Sequence, residues 1–385
     1  MHDALALTLT ELRDRLADGS LSPVELMEAV WRRIEDVDPR LNAVVVRADR
    51  DSVMEQARAA EARLERGEGR PLEGIPLGVK DLEDAAGLPT SQGSMVFKGT
   101  IAQRDSTQVE RLKAAGAIVV GKTNAPEFGS TAFTKNRPFG VTRNPWDLAC
   151  SPGGSSGGAS AALAGNILPL VTGSDGGGSV RIPACLVGAF GLKPSYGRIP
   201  NGPSERWAWI DTVCHGPITK TVEDAALFMD QVAGPSLHDD SSLPSPGLSY
   251  VEAIQRPPQG LRIAHCRDFG YAVVAREVAE AVERAVKVLE GLGHAVTEVD
   301  GGPPIGAAGW VLINNLDSYC HLQPYLAEHE SEFGRGFIQS VKTAADVTPE
   351  MLERTIRRRA QINAWCAEIF GQYDVLLTPT LPFDA

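Results

Sequence analysis

The run at residues 151–183, SPGGSSGGASAALAGNILPLVTGSDGGGSVRIP, sets two glycine clusters around one short element. The first is Gly153-Gly154-Ser155-Ser156-Gly157-Gly158, the second Gly176-Gly177-Gly178-Ser179, and serines touch both. Between them residues 159–165 read as a small-residue helix and residues 167–172 as an apolar strand. Glycine loses more backbone entropy on folding than any other residue, so clusters of it mark sharp bends and close approaches. Two such clusters imply two loops facing one another across a site.

On either side the chain alternates between helical and extended patterns. Residues 10–17, 22–37 and 51–67 read as helices, which makes the first 70 residues mostly helical. Ser22-Pro23 is an N-cap followed by proline, Glu25 completes a capping-box pattern, and Leu26, Val30 and Ile34 form an apolar stripe. Strands are expected at residues 75–81 (IPLGVKD), 117–121, 261–266, 294–299 and 373–378. Helices are expected at 107–115 and 273–292. Strands alternating with helices of this length indicate an α/β protein with a parallel or mixed sheet. Residues 235–258, rich in Ser, Pro and Asp, read as a surface excursion.

Composition narrows the function. At 385 residues the chain has room for two or three domains or one large α/β domain, and 43% apolar residues supply a sizeable core. A net charge of −12 argues against a general nucleic-acid or anionic-membrane surface. The six cysteines show no CxxC pair or paired spacing with histidine, which fits reduced thiols and a cytoplasmic setting. The first residues do not form a secretory signal, and no apolar run reaches the length of a membrane span.

A serine nucleophile needs a base. None of the seven histidines lies in a glycine-flanked or strand-end setting with an acid placed to orient it, and His265 and His294 read as core or surface residues. The G-x-S-x-G elbow is absent, since Val180 and Arg181 follow Ser179. PGGSSGG lacks the lysine of a phosphate-binding loop, and no His/Cys/Asp cluster has metal-ligand spacing, so neither cofactor nor metal is expected. Lys80 ends the apolar run IPLGVK, where burial lowers an amine's pKa and makes it a competent base. The plainer alternative is a surface ion pair with Asp81.

Six strings in one order then carry a resemblance. They are GIPLGVKD followed by Thr90, Gly93 and Ser94, TNAPEFG at 123–129, RNPWD at 143–147, SPGGSSGG, GSDGGGSVRIPA and GLKPSYGRIP. With HGPITKTVEDAALFMD at 215–230 and YDVLLTPTLP at 373–382, the chain resembles the amidase signature family from about residue 7 to residue 382. The resemblance implies a single domain with a large mixed β-sheet flanked by helices on both faces. It matches Lys80 to the base, Ser155 to a bridging serine after a cis peptide, and Ser179 to the nucleophile of an amidase that forms an acyl-enzyme. The 75 residues from Lys80 to Ser155 and the 24 from Ser155 to Ser179 fit that pattern.

The N–H groups of Gly176, Gly177, Gly178 and Ser179 suit an oxyanion hole, because glycine lets the backbone approach a substrate closely. Ser156 and Ser174 are expected to stabilise loops, and Asp175 and Arg181 to form a structural salt link. The implied substrate is a small carboxamide, with no nucleic-acid or membrane partner and room for a homodimer. Trp207, Trp209, Trp310 and Tyr319 are candidates for an apolar acyl pocket or for core aromatics. Family members include free-standing amidases and the glutamine-hydrolysing component of the tRNA-dependent amidotransferase. The latter carries glutamine where Ile182 stands here, which favours the free-standing reading. The family continues past the position of Ala385, so a fold short of its C-terminal part is expected, and with it the alternative of an inactive remnant that binds without turnover.

Overall fold

A computed structural model describes residues 2–203 and 212–384. The chain, expected as one domain, divides into two compact units, one of residues 1–255 with 328–337 and one of residues 256–327 with 338–384.

The first unit opens with α1 (Leu9–Ala17), α2 (Pro23–Leu41) and α3 (Arg50–Glu65). Ser22 caps α2 by accepting from the N–H groups of Val24 and Glu25 at 3.0 and 3.3 Å. The second half of the expected capping box, Glu25 accepting from the Ser22 N–H, is absent, and the Ser22 hydroxyl donates to Glu61. A reciprocal box stands one helix earlier, where Thr8 Oγ1 accepts from Glu11 N–H at 3.2 Å and Glu11 accepts from Thr8 N–H at 2.8 Å. The stripe of Leu26, Val30 and Ile34 is fully buried.

Strands β1 (Val44–Arg47), β2 (Pro76–Lys80), β3 (Ile118–Thr123), β6 (Leu170–Asp175), β7 (Phe190–Gly191) and β8 (Cys214–Thr219) form one sheet in the order β1-β3-β2-β6-β8-β7. β4 (Lys135–Asn136) and β5 (Gly140–Val141) make a separate hairpin. The large sheet is mixed: β2 runs parallel to β3 and β6, while β1 and β8 run antiparallel to their neighbours. Every residue of β2 is buried. Helix α4 (Thr107–Ala114) leads into β3, and α5 (Gly157–Ala164) lies against β2, β3, β6 and β8. α5 begins inside the first glycine cluster, two residues before the expected start, and its small side chains let it pack with residues 157–163 buried. α6 (Arg181–Val187) follows the second cluster, and α7 (Val222–Val232) packs on β8. β8 is not legible as a strand in the sequence because Gly216 and Pro217 interrupt it, and both residues weaken a strand pattern.

The expected excursion contains α8 (Tyr250–Ala253), whose first N–H groups are tied to the Asp230 carboxylate. In the second unit β9 (Arg262–His265), β10 (Ala295–Glu298) and β11 (Val375–Leu377) form a parallel sheet ordered β10-β9-β11. Its helices are α9 (Arg276–Gly291), most of α10 (Ala307–His329), α11 (Arg335–Lys342) beyond residue 337, and α12 (Pro349–Gln372). No residue of α9 or α12 is fully buried. Among the described residues no helix is long and apolar enough to cross a membrane.

Candidate active site

Lys80 is the last residue of β2 and is 1% exposed. Its backbone N–H donates to Thr172 Oγ1 at 2.9 Å. Its Nζ reaches Ser155 Oγ at 2.8 Å, Ser174 Oγ at 3.0 Å and the Ser174 carbonyl at 3.2 Å. Burial drives its pKa down to about 7, against the opposing pull of the Asp175 and Glu83 charges. An amine with that pKa is half neutral near pH 7 and takes protons there. The surface pair with Asp81 does not form. Asp81 is fully buried and accepts from Ser91 Oγ, from the Ser91 N–H at 3.1 Å and from the Gly93 N–H at 3.4 Å.

Ser155 follows a cis peptide from Gly154 and is 2% exposed. The next residue ties the two glycine loops together, because Ser156 N–H donates to the Ser179 carbonyl at 3.2 Å. Gly129 closes the other side. A methyl group added to it would lie 2.8 Å from Leu82 Cδ1 and 3.2 Å from Ser155 Oγ, so a side chain there would crowd that hydroxyl.

The turn of the second glycine cluster is folded around Asp175. This buried carboxylate accepts from the N–H groups of Gly178, Val180 and Arg181 at 2.7, 3.2 and 3.3 Å, and from Arg181 Nε and Nη2 at 2.9 Å each. Burial opposes its charge, but the Arg181 guanidinium and these N–H groups hold it below the usual carboxylate range. The expected salt link is therefore present. Gly178, expected among the oxyanion donors, is corrected by the same geometry: its N–H points at Asp175 with φ +119°. Among the described residues the N–H groups of Gly176, Gly177 and Ser179 have no internal acceptor.

Three neighbours escape a reading of the sequence. Ser174 touches Lys80 rather than only bracing its loop, and its alternation with Thr172 along β6 is the available signal, since residues two apart share a face. His215 pairs with Ser174 across β6 and β8, and its Nδ1 lies 3.6 Å from Glu83 Oε1, so a histidine does stand beside the site with an acid next to it. Phe128 stacks on Phe337 at 4.8 Å and meets Phe97 at 5.9 Å, while the neighbouring Glu127 accepts from Gly334 N–H at 2.7 Å. Of the aromatic pocket candidates, Trp207 and Trp209 lie outside the described residues, and Trp310 and Tyr319 lie on α10 in the second unit.

The site thus sets a buried lysine on a serine hydroxyl, beside a glycine turn with open N–H groups. The family profile described as Amidase matches residues 25–315, and the chain belongs to the amidase signature family. It is 38% identical over 383 residues to an acylamidase of Rhodococcus erythropolis, covering 97% of this chain and 79% of that one. It is 35% identical over 401 residues to a component of the glutamyl-tRNA(Gln) amidotransferase of Roseiflexus castenholzii, covering 98% and 81%. The crystal structure of a bacterial aryl acylamidase of the same family superposes with a TM-score of 0.93 at 30% identity, covering 98% of this chain and 80% of that one.

Proposed function

We propose that this amidase-family hydrolase cleaves the carbon–nitrogen bond of a linear carboxamide through Lys80, Ser155 and Ser179. The observation that carries the reading is the buried Lys80 amine, with a pKa near 7, at 2.8 Å from the Ser155 hydroxyl. Neutral Lys80 takes the Ser155 proton as Ser155 takes that of Ser179. The Ser179 oxygen then attacks the carbonyl carbon. The N–H groups of Gly176, Gly177 and Ser179 receive the developing oxyanion, where one such donor is worth about 10²–10³ in rate. Ser155 returns a proton to the departing amine, the carbon–nitrogen bond breaks, and water releases the acyl group from Ser179.

The relatives supply two substrate readings. Similarity to an acylamidase favours a free-standing enzyme on acyl amides, and Ile182 after Arg181 agrees with it. Similarity to amidotransferase components favours glutamine as the amide. A panel of primary amides, anilides and glutamine, incubated with the purified chain alone, separates them. Turnover of anilides or primary amides without added protein partners is expected, and turnover confined to glutamine would overturn the free-standing reading.

A further inference from the structure

Glu83 and His215 are two titratable side chains at the site with no part in the mechanism above. Glu83 sits three residues beyond Lys80, and its N–H donates to the Lys80 carbonyl at 2.9 Å. Its buried carboxylate accepts from Ser106 Oγ at 2.7 Å and from Gln108 Nε2 at 3.0 and 3.1 Å, both neutral donors. His215 Nδ1 lies 3.6 Å from that carboxylate and makes no hydrogen bond among the described residues. In the antiparallel register His215 stands opposite Ser174, and opposed residues project from the same face. Ser174 in turn holds the Lys80 amine at 3.0 Å. Lysine, serine, histidine and glutamate thus stand as neighbours around the end of β2.

On the reading of Lys80 as the base, we propose that Glu83 and His215 are positioning residues whose paired charge sets how far below neutral pH the enzyme turns over. Two carboxylates pull a proton onto Lys80, Asp175 and Glu83. Asp175 is already matched by Arg181 at 2.9 Å, so Glu83 is the one whose charge can still be offset. The charged and titratable groups on the surrounding elements are Lys80 at the end of β2, Lys122 on β3, whose amine donates to the Glu83 carbonyl and whose charge works on Asp81, the pair of Asp175 at the end of β6 with Arg181, and Cys214 on β8, whose sulfur accepts from Lys193 at 3.3 Å. Histidine is the side chain whose charge changes nearest neutral pH. A positive charge on His215, 3.6 Å from Glu83, offsets that carboxylate, weakens its pull on Lys80 and keeps a larger fraction of the amine neutral.

The test is the pH profile of kcat/KM in the full chain, with an acyl p-nitroanilide that the wild-type protein hydrolyses. Glu83→Gln removes the carboxylate and moves the acid midpoint down by about 0.5–1 pH unit. His215→Gln removes the compensating charge and moves it up by a similar amount, about 0.5–1 unit. The high-pH plateau stays within about threefold in both. In the Glu83→Gln background, His215→Gln loses most of its effect, because there is no carboxylate left to offset; this cycle isolates the coupling. Shifts in the same direction, or a lowered plateau with unmoved midpoints, overturn the proposal and leave both residues as packing. If Glu83→Gln does not fold, His215→Gln alone decides, since an unmoved or lowered midpoint contradicts it. Lys80→Met separates the two readings: turnover surviving that change defeats the base assignment, whereas turnover lost with fixed midpoints in the other variants defeats only the charge pair.

Discussion

The two faces of the sheet at the end of β2 and β3 each bury a lysine, and the two lysines keep different company. The register sets Lys122 beside Val79 and Thr123 beside Lys80, so the two side chains leave opposite faces. Lys122, fully buried, donates to the Glu83 carbonyl and to Thr90 Oγ1 at 3.0 Å, and its charge works on Asp81. Lys80 is bonded to two serine hydroxyls and a carbonyl and to no carboxylate among the described residues. Both bear the cost of leaving water. Burial therefore does not by itself make a base; the partners differ, since Lys80 meets the Ser155 and Ser174 hydroxyls while Lys122 braces the Glu83 carbonyl and Thr90.

Breaking the comparison begins at its chemical end. Ser179→Ala is expected to lower kcat by roughly 10⁴-fold or more with the melting temperature unchanged, because residues that act as a unit are lost together. Activity within tenfold of wild type would sink the nucleophile assignment. Lys80→Met has the same signature, little turnover in a folded protein. Lys122→Met is predicted to do the reverse: by leaving the buried Asp81 without its counter-charge it costs about 3–5 kcal/mol of stability, read by urea denaturation. A stable Lys122→Met protein with impaired catalysis would show that the two faces are not functionally distinct.

Proton linkage sharpens the same contrast. Lys80 has a folded pKa of about 7, below that of an unfolded lysine, so between pH 7 and about 10 the unfolded chain binds more protons. Stability should rise with pH across that window, and kcat/KM should rise through its lower edge. In Lys80→Met this part of the stability rise disappears; an unchanged rise points to other groups. The smallest effect belongs to Ser174→Ala, which removes one hydroxyl from the lysine and is expected to lower kcat about tenfold with KM little changed. A pure KM effect would place Ser174 on the substrate instead.

Much of this is legible in order and spacing. The strand ending in Lys80, the stripe of α2 and the two glycine loops all follow from local patterns, because periodicity and glycine report on the backbone directly. The strand at Cys214–Thr219 does not, since Gly216 and Pro217 suppress the pattern while cross-strand pairing enforces it. His215 is hidden for the same reason. Its acidic neighbour is 132 residues away in the chain and adjacent only through the sheet. The assignment of Gly178 to the oxyanion fails because composition shows how many N–H groups a turn has, not which of them a buried carboxylate has taken.

The two glycine clusters illustrate the division. The sequence alone determined that residues 151–183 hold two tight loops with serines on them and that an apolar strand delivers a lysine, since chain stiffness and hydrophobicity are local properties. Only the tertiary structure decided that the first loop turns Ser155 onto that lysine, that the second wraps Asp175, and that Lys80 meets serine hydroxyls while Lys122 meets a backbone carbonyl and a threonine. Desolvation and charge pairing depend on what every other segment brings within a few ångströms, and no stretch of sequence contains its own surroundings.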